Sequence, residues 1–186
     1  MGRLSQVLKC SSQPLLIIFG GLPGVGKTTI ARELACQLSG VHVRIDSIEQ
    51  AIRDSGAITG SVADLGYRVA YAIAEDNLRV GRTVIADSVN PLTLTRNAWV
   101  DVAKRALVCP IEVEIKCSDL NEHRSRVESR IIDLSGLMPP TWEEVVFRDY
   151  EQWDHGHIVI DTTNRKVEES VLEIRRALAT YLINPA

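Results

Sequence analysis

Between positions 21 and 29 the chain reads Gly21-Leu22-Pro23-Gly24-Val25-Gly26-Lys27-Thr28-Thr29. Glycines at 21, 24 and 26 free the backbone to take unusual torsions, so that successive N–H groups can point into one concavity sized for phosphate oxygens. A lysine placed directly after such a loop can reach the outer phosphates of a nucleoside triphosphate. The Thr28 hydroxyl next to it can ligate a magnesium ion bridging those phosphates, and Thr29 adds a hydroxyl near the inner one. The pattern is a full Walker A match, and the alternative, a glycine-rich turn without function, would not require a strand before it and a helix after it.

Two acids end apolar runs downstream. Asp46 follows Val43-Arg44-Ile45 and Asp87 follows Val84-Ile85-Ala86. In an open parallel sheet the carboxyl ends of the strands face the ligand. A carboxylate there can take the proton of an attacking hydroxyl, which is the reading for Asp46, or hold magnesium directly or through water, which is the reading for Asp87. Either acid could instead cap the helix that follows. Arg124, Arg126 and Arg130 form a further cluster; a spacing of four sets Arg126 and Arg130 on one helical face and Arg124 on another. Guanidinium groups on that face would stabilise charge during phosphoryl transfer, against the plainer outcome of pairing with Glu122 and Glu128.

The elements that must position these residues alternate along the chain. Leu15 to Phe19 is a continuous apolar run, as a strand buried on both faces should be. The pattern predicts a helix from Lys27 to about Leu38, a strand over Val41 to Ile45, a short helix over Ile48 to Arg53 and a loop through Gly56 and Gly60. It then predicts a helix from Ala63 to Val80 with Leu65, Val69, Ala72, Ile73 and Val80 inward, and a strand over Thr83 to Ala86. Pro91 opens the next helix, running to Ala106; Ile111 to Ile115 makes a fourth strand, and Asp119 with Glu122 resembles a capping box. Pro139-Pro140 precedes a second such box at Thr141 and Glu144. His157 to Ile160 is the fifth strand, and a last helix over Val167 to Leu182 turns Val167, Val171, Leu178 and Leu182 inward. Five strands alternating with helices imply an α/β fold of three layers: a central five-stranded parallel sheet with helices on both faces.

From Gly21 to Gln50 the chain resembles the small P-loop kinases around chloramphenicol phosphotransferase, zeta toxins and polynucleotide 5′-kinases, a group of AAA-type ATPase character; Asp46-Ser47-Ile48 is especially similar to the phosphotransferase's Asp-Ser-Leu. The resemblance implies a P-loop NTPase fold with the Walker A and Asp87 strands adjacent and a small helical lid over about 119–140 carrying Arg126 and Arg130. It implies Asp46 as general base, ATP and Mg2+ as cofactors, and a small hydroxyl-bearing acceptor. Asn90, Arg96 and Trp99 fall where the acceptor side of the group lies, although a solvated helix face is the expectation for Arg96. Asp161-Thr162-Thr163-Asn164 resembles its base-contacting turn. A polynucleotide 5′-hydroxyl kinase and a non-catalytic ATP-sensing module are the alternatives.

At 186 residues the chain suits one domain. A formal net charge of -3 gives no general pull toward nucleic acid or an anionic membrane. No apolar run reaches the roughly 18 residues of a membrane span. Cys10, Cys36, Cys109 and Cys117 lack metal-site or disulfide spacing and read as small buried hydrophobes in a reducing cytosol. His155 and His157 have no third ligand near them in sequence, and Trp142 and Trp153 read as packing aromatics.

Overall fold

The computed structural model describes residues 13–57, 62–131 and 133–183. Leu15–Gly20 (β1), Val41–Arg44 (β2), Val84–Asp87 (β3), Cys109–Lys116 (β4) and Ile158–Asp161 (β5) form one sheet of order β2-β3-β1-β4-β5, every pairing parallel. The helices are Lys27–Leu38 (α1), Ile45–Asp54 (α2), Ala63–Arg79 (α3), Thr93–Ala106 (α4), Leu120–Glu128 (α5), Trp142–Val146 (α6) and Val167–Ile183 (α7).

The buried run of β1 feeds two cores, because successive side chains leave opposite faces of a strand. Leu15, Ile17 and Phe19 pack with Ile30 and Leu34 of α1 and with Val171, Ile174 and Leu178 of α7. Leu16 and Ile18 pack with Ala70, Ala74 and Leu78 of α3 and with Trp99, Val102 and Ala103 of α4. Each large apolar side chain so buried contributes about 1.5–3 kcal/mol. The result is the three-layer architecture expected, with β1 and β3 adjacent.

Several local expectations are corrected. The buried face of α3 is Gly66, Ala70, Ala74 and Leu78, while Val69 and Ile73 are each 39% exposed and Val80, past the helix end, is 75% exposed. Small residues at a spacing of four let the helix approach its neighbours closely, and this displaces the bulkier stripe toward solvent. The α4 helix begins at Thr93 rather than Pro91: the Thr95 and Arg96 amides both bond to the Leu92 carbonyl. Cys117 is buried as expected, but Cys36 and Cys109 are exposed. Cys10, Gly60 and the Leu182 side chain lie outside the described residues.

At the 119–140 segment, the Asp119 carboxylate caps α5 by accepting from the Asn121 and Glu122 amides. Glu122 does not complete the box. Its carboxylate instead accepts from Arg126 and from the Asn164 amide. Thr141 and Glu144 do form a complete capping box for α6. Among the described residues no helix is long and apolar enough to cross a membrane.

Candidate functional site

The loop after β1 takes the backbone that its glycines permit, with φ of 133° at Gly21, 86° at Gly24 and 99° at Gly26. A Cβ at Gly21 would lie 2.2 Å from the Ile115 carbonyl oxygen on β4, so glycine is required there for two separate reasons. Gly26 is the N-cap of α1 and no side chain caps it, so the first-turn N–H groups of α1 have no side-chain acceptor. That helix end is an anion site by its dipole and its free donors. The loop is held from behind by His123, whose Nε2 donates to the Pro23 carbonyl at 2.8 Å, and by Thr162, whose hydroxyl donates to the Val25 carbonyl at 3.0 Å.

Lys27 is 8% exposed and donates to the Leu22 carbonyl at 2.8 Å. Burial lowers its pKa from the ordinary 10.5 to about 8, against the opposing pull of Asp87 and Asp46. Asp87, at the end of β3, is also buried. Burial pushes its carboxyl upward, but His42, Lys27 and the Thr28 hydroxyl outweigh that and hold it below the usual value. The His42 Nε2 lies 3.1 Å from Asp87 Oδ2. Thr28 and Asp87 together are hard oxygen donors at one point of the cleft, which fits a magnesium ion.

Asp46 lies in the first turn of α2, because this helix starts at Ile45, three residues before its expected start at Ile48. It does not cap: the N-cap is Arg44, and no side-chain cap bond is present. Its carboxylate stands 3.5 Å from Arg44, a buried guanidinium that also holds Asp133 at 2.9 Å. Asp87 does not cap a helix either, since α4 starts from Leu92.

A cleft of about 1140 Å³ joins these groups, bordered by Pro23, Gly24, Gly26, Lys27, Thr28, Thr29, Asp46, Asp87, Arg126 and Arg130 among others. Gly21, Leu22 and Val25 shape the loop without bordering the cleft. Arg126 donates to the Thr162 hydroxyl at 2.9 Å and carbonyl at 3.0 Å, and it pairs with Glu122. Arg130 borders the same cleft although α5 ends at Glu128, whereas Arg124 turns outward to Glu128.

The neighbours of Asp87 correct a second set of expectations. Asn90, Arg96 and Trp99 are fully or almost fully buried and do not border the cleft; Ser88, Val89, Pro91, Leu92 and Thr95 do. Arg96 is not on a solvated face. It is 1% exposed, donates to the Glu151 carbonyl at 3.0 Å and the Thr93 hydroxyl at 2.9 Å, and stacks over Trp153 at 4.7 Å. Trp153 also packs against Gly20 and His157, and Trp142 against His123. Of the 161–164 turn, Thr162 borders the cleft, while the Asp161 carboxylate is spent on Ser118 and the Thr163 amide.

Residues that the motifs did not point to also border the cleft. Glu49, Asp64, Tyr67 and Arg148 do so, and burial pushes the Tyr67 hydroxyl up to about 12. The one available signal was helical spacing, since Glu49 stands three residues after Asp46 on α2.

A model of the AAA domain matches residues 16–132. An uncharacterized protein of Mycobacterium tuberculosis is 29% identical over 169 residues, covering 84% of this chain and 33% of that protein. The chain thus spans about a third of the length of the relatives it first matches. Among solved structures, a Chloroflexus aurantiacus protein assigned as a kinase has a TM-score of 0.72 at 23% identity, with 91% of this chain and 98% of that one covered. The APS kinase of Mycobacterium tuberculosis in complex with AMPPNP and APS has a TM-score of 0.68 at 17% identity, with 90% and 98% covered. These likenesses agree with the three-layer parallel fold, and the match to the family model extends over more than half of the residues. The chain therefore belongs to the AAA_33 family of AAA domains.

Proposed function

We propose that the chain is an ATP-dependent kinase that moves the γ-phosphoryl group onto a hydroxyl of a small molecule. The observation that carries this reading is the convergence of Lys27, Thr28, Asp87 and Asp46 on one cleft at the carboxyl edge of the sheet. A cradle of backbone amides with a buried lysine suits the β- and γ-phosphates. When bound there, magnesium would supply charge neutralisation across those phosphates, with Thr28 and Asp87 as its protein ligands.

Asp46 takes the acceptor's proton as its oxygen attacks the γ-phosphorus and the bond to the β–γ bridging oxygen breaks, releasing ADP. Arg126 and Arg130 hold the charge that spreads over the transferring group. The reading treats residues 1–186 as one kinase domain with a lid over about 119–140, acting in the cytosol, and keeps kinship with the chloramphenicol phosphotransferase group as part of the proposal. The bound AMPPNP and APS of the structural neighbour support a nucleotide and a small acceptor.

Incubation with MgATP and a library of small alcohols, followed by mass spectrometry, tests it. Wild type yields a product heavier by one phosphoryl group and Lys27→Ala does not. Persistent ATP binding without transfer to any alcohol would replace the kinase with a nucleotide-sensing module.

A further inference from the structure

The two ends of the cleft differ in charge. On the β4–β5 side of Lys27 its ionisable walls are Arg126, Arg130 and Arg165. On the β2–β3 side stand Asp46 and Glu49 of α2 and Asp64 of α3, faced by Arg148. Glu144, also at the cleft, is consumed in the α6 capping box. Arg44 and Arg53 reach Asp46 and Glu49 without bordering the cleft, and Arg44 is shared with Asp133.

We infer that the acceptor is an alcohol bearing a protonated amine, its hydroxyl at Asp46 and its ammonium at Glu49 and Asp64. This rests on the kinase reading and names the substrate class of that same site.

Four observations support it. Asp46 and Glu49 are three residues apart on one helix, so their side chains leave one face with Cβ atoms about 5–6 Å apart. Side chains so placed can reach a hydroxyl and an amine of one small molecule. Glu49 is a built feature of the wall: a Cβ at Gly66 would lie 2.4 Å from its Cγ, so α3 has a gap where the Glu49 side chain lies. Burial, together with the nearby Asp46 charge, raises the pKa of Glu49 more than Arg53 and Arg148 lower it, so a further cation there would stabilise its charged form.

The fourth observation is independent of the acids. Ser88, at the same end, is 5% exposed, and its Oγ, beside the Tyr67 hydroxyl, makes no hydrogen bond of ordinary geometry among the described residues. A buried hydroxyl without a partner is costly, and a polar ligand entering beside it would satisfy it. An anionic acceptor such as the APS of the structural neighbour would instead bring negative charge against Asp46, Glu49 and Asp64, where Arg148 is the one arginine at the cleft surface and Arg44 and Arg53 are already paired with Asp46 and Glu49.

Matched triples of one carbon skeleton test this: 2-aminoethanol, ethylene glycol and glycolate; 2-amino-1,3-propanediol, glycerol and glycerate; glucosamine, glucose and gluconate. Each is titrated into the protein saturated with magnesium and AMPPNP, and each is assayed for phosphorylation with MgATP. The amine is expected to bind at least about tenfold tighter than its neutral isostere, with the acid weakest. Glu49→Gln is expected to shrink the amine preference about tenfold, and Glu49→Lys to shift preference toward the acid. Equal or absent binding within every triple, or preference for an acid, overturns the inference. Phosphorylation of acids would overturn it and leave the kinase standing. Amine-selective binding without transfer to any alcohol would support this charge reading and overturn the kinase.

Discussion

Lys27 links the chemistry of this cleft to pH. With its pKa lowered by burial to about 8, a large fraction of the ligand-free molecules hold a neutral lysine at that pH. A triphosphate restores the ammonium, so binding raises the pKa and takes up a proton, and affinity falls as pH rises above about 8. Calorimetry of MgATP binding at pH 8 in two buffers of different ionisation enthalpy is expected to report an uptake of about half a proton, lost in Lys27→Ala. In the proposed transfer, Asp46 acts at a different stage. Asp46→Asn is expected to keep MgATP affinity within about threefold and to slow transfer by about 10² to 10⁴; steady-state rates beside a nucleotide titration check both, and undiminished turnover removes Asp46 from the chemistry. Lys27, Thr28, Asp46 and Asp87 were legible because each is set by a few consecutive residues. His42 and Ser88 were not, since the partner of His42 lies 45 residues away and Ser88 matters only through the surface it borders.

At the scale of the element, the loop from Gly21 to Thr28 holds its shape because three glycines sit where other residues would be strained and because His123 and Thr162 support it from behind. Gly21→Ala meets both the positive φ and the Ile115 carbonyl. It is expected to cost about 1–3 kcal/mol of stability and to weaken nucleotide binding by more than about tenfold, read from denaturant midpoints and a titration; wild-type values in both would refute the loop conformation. Helix and strand periods were readable wherever the apolar run was continuous, as in β1, or the boundary was a glycine, as at α1. They misled on α3, where a close approach selects Gly66, Ala70 and Ala74 over larger neighbours, and on Arg96, whose acceptors are backbone carbonyls 55 and 56 residues further on. Such pairings depend on which elements meet, which local spacing does not encode.

For the molecule as a whole, the sheet order decides what the cleft can do. With β1 at the centre, the phosphate loop divides a wall rich in guanidinium groups on the β4–β5 side from a wall of carboxylates and hydroxyls on the β2–β3 side. A triphosphate and a separate acceptor can then approach Lys27 from opposite directions, which in-line transfer requires. The five-stranded parallel alternation was visible along the chain; the division of charge was not, because it arises only when α2, α3 and α5 are brought to one edge. Everything proposed for this cleft requires that Lys27 and its loop hold a magnesium nucleoside triphosphate, and isothermal titration of the protein with MgATP tests that most directly. Saturable heat at one site per chain is expected, with affinity falling by about tenfold or more in Lys27→Ala; no heat from any nucleoside triphosphate, or equal affinity in the variant, would contradict this role of the loop.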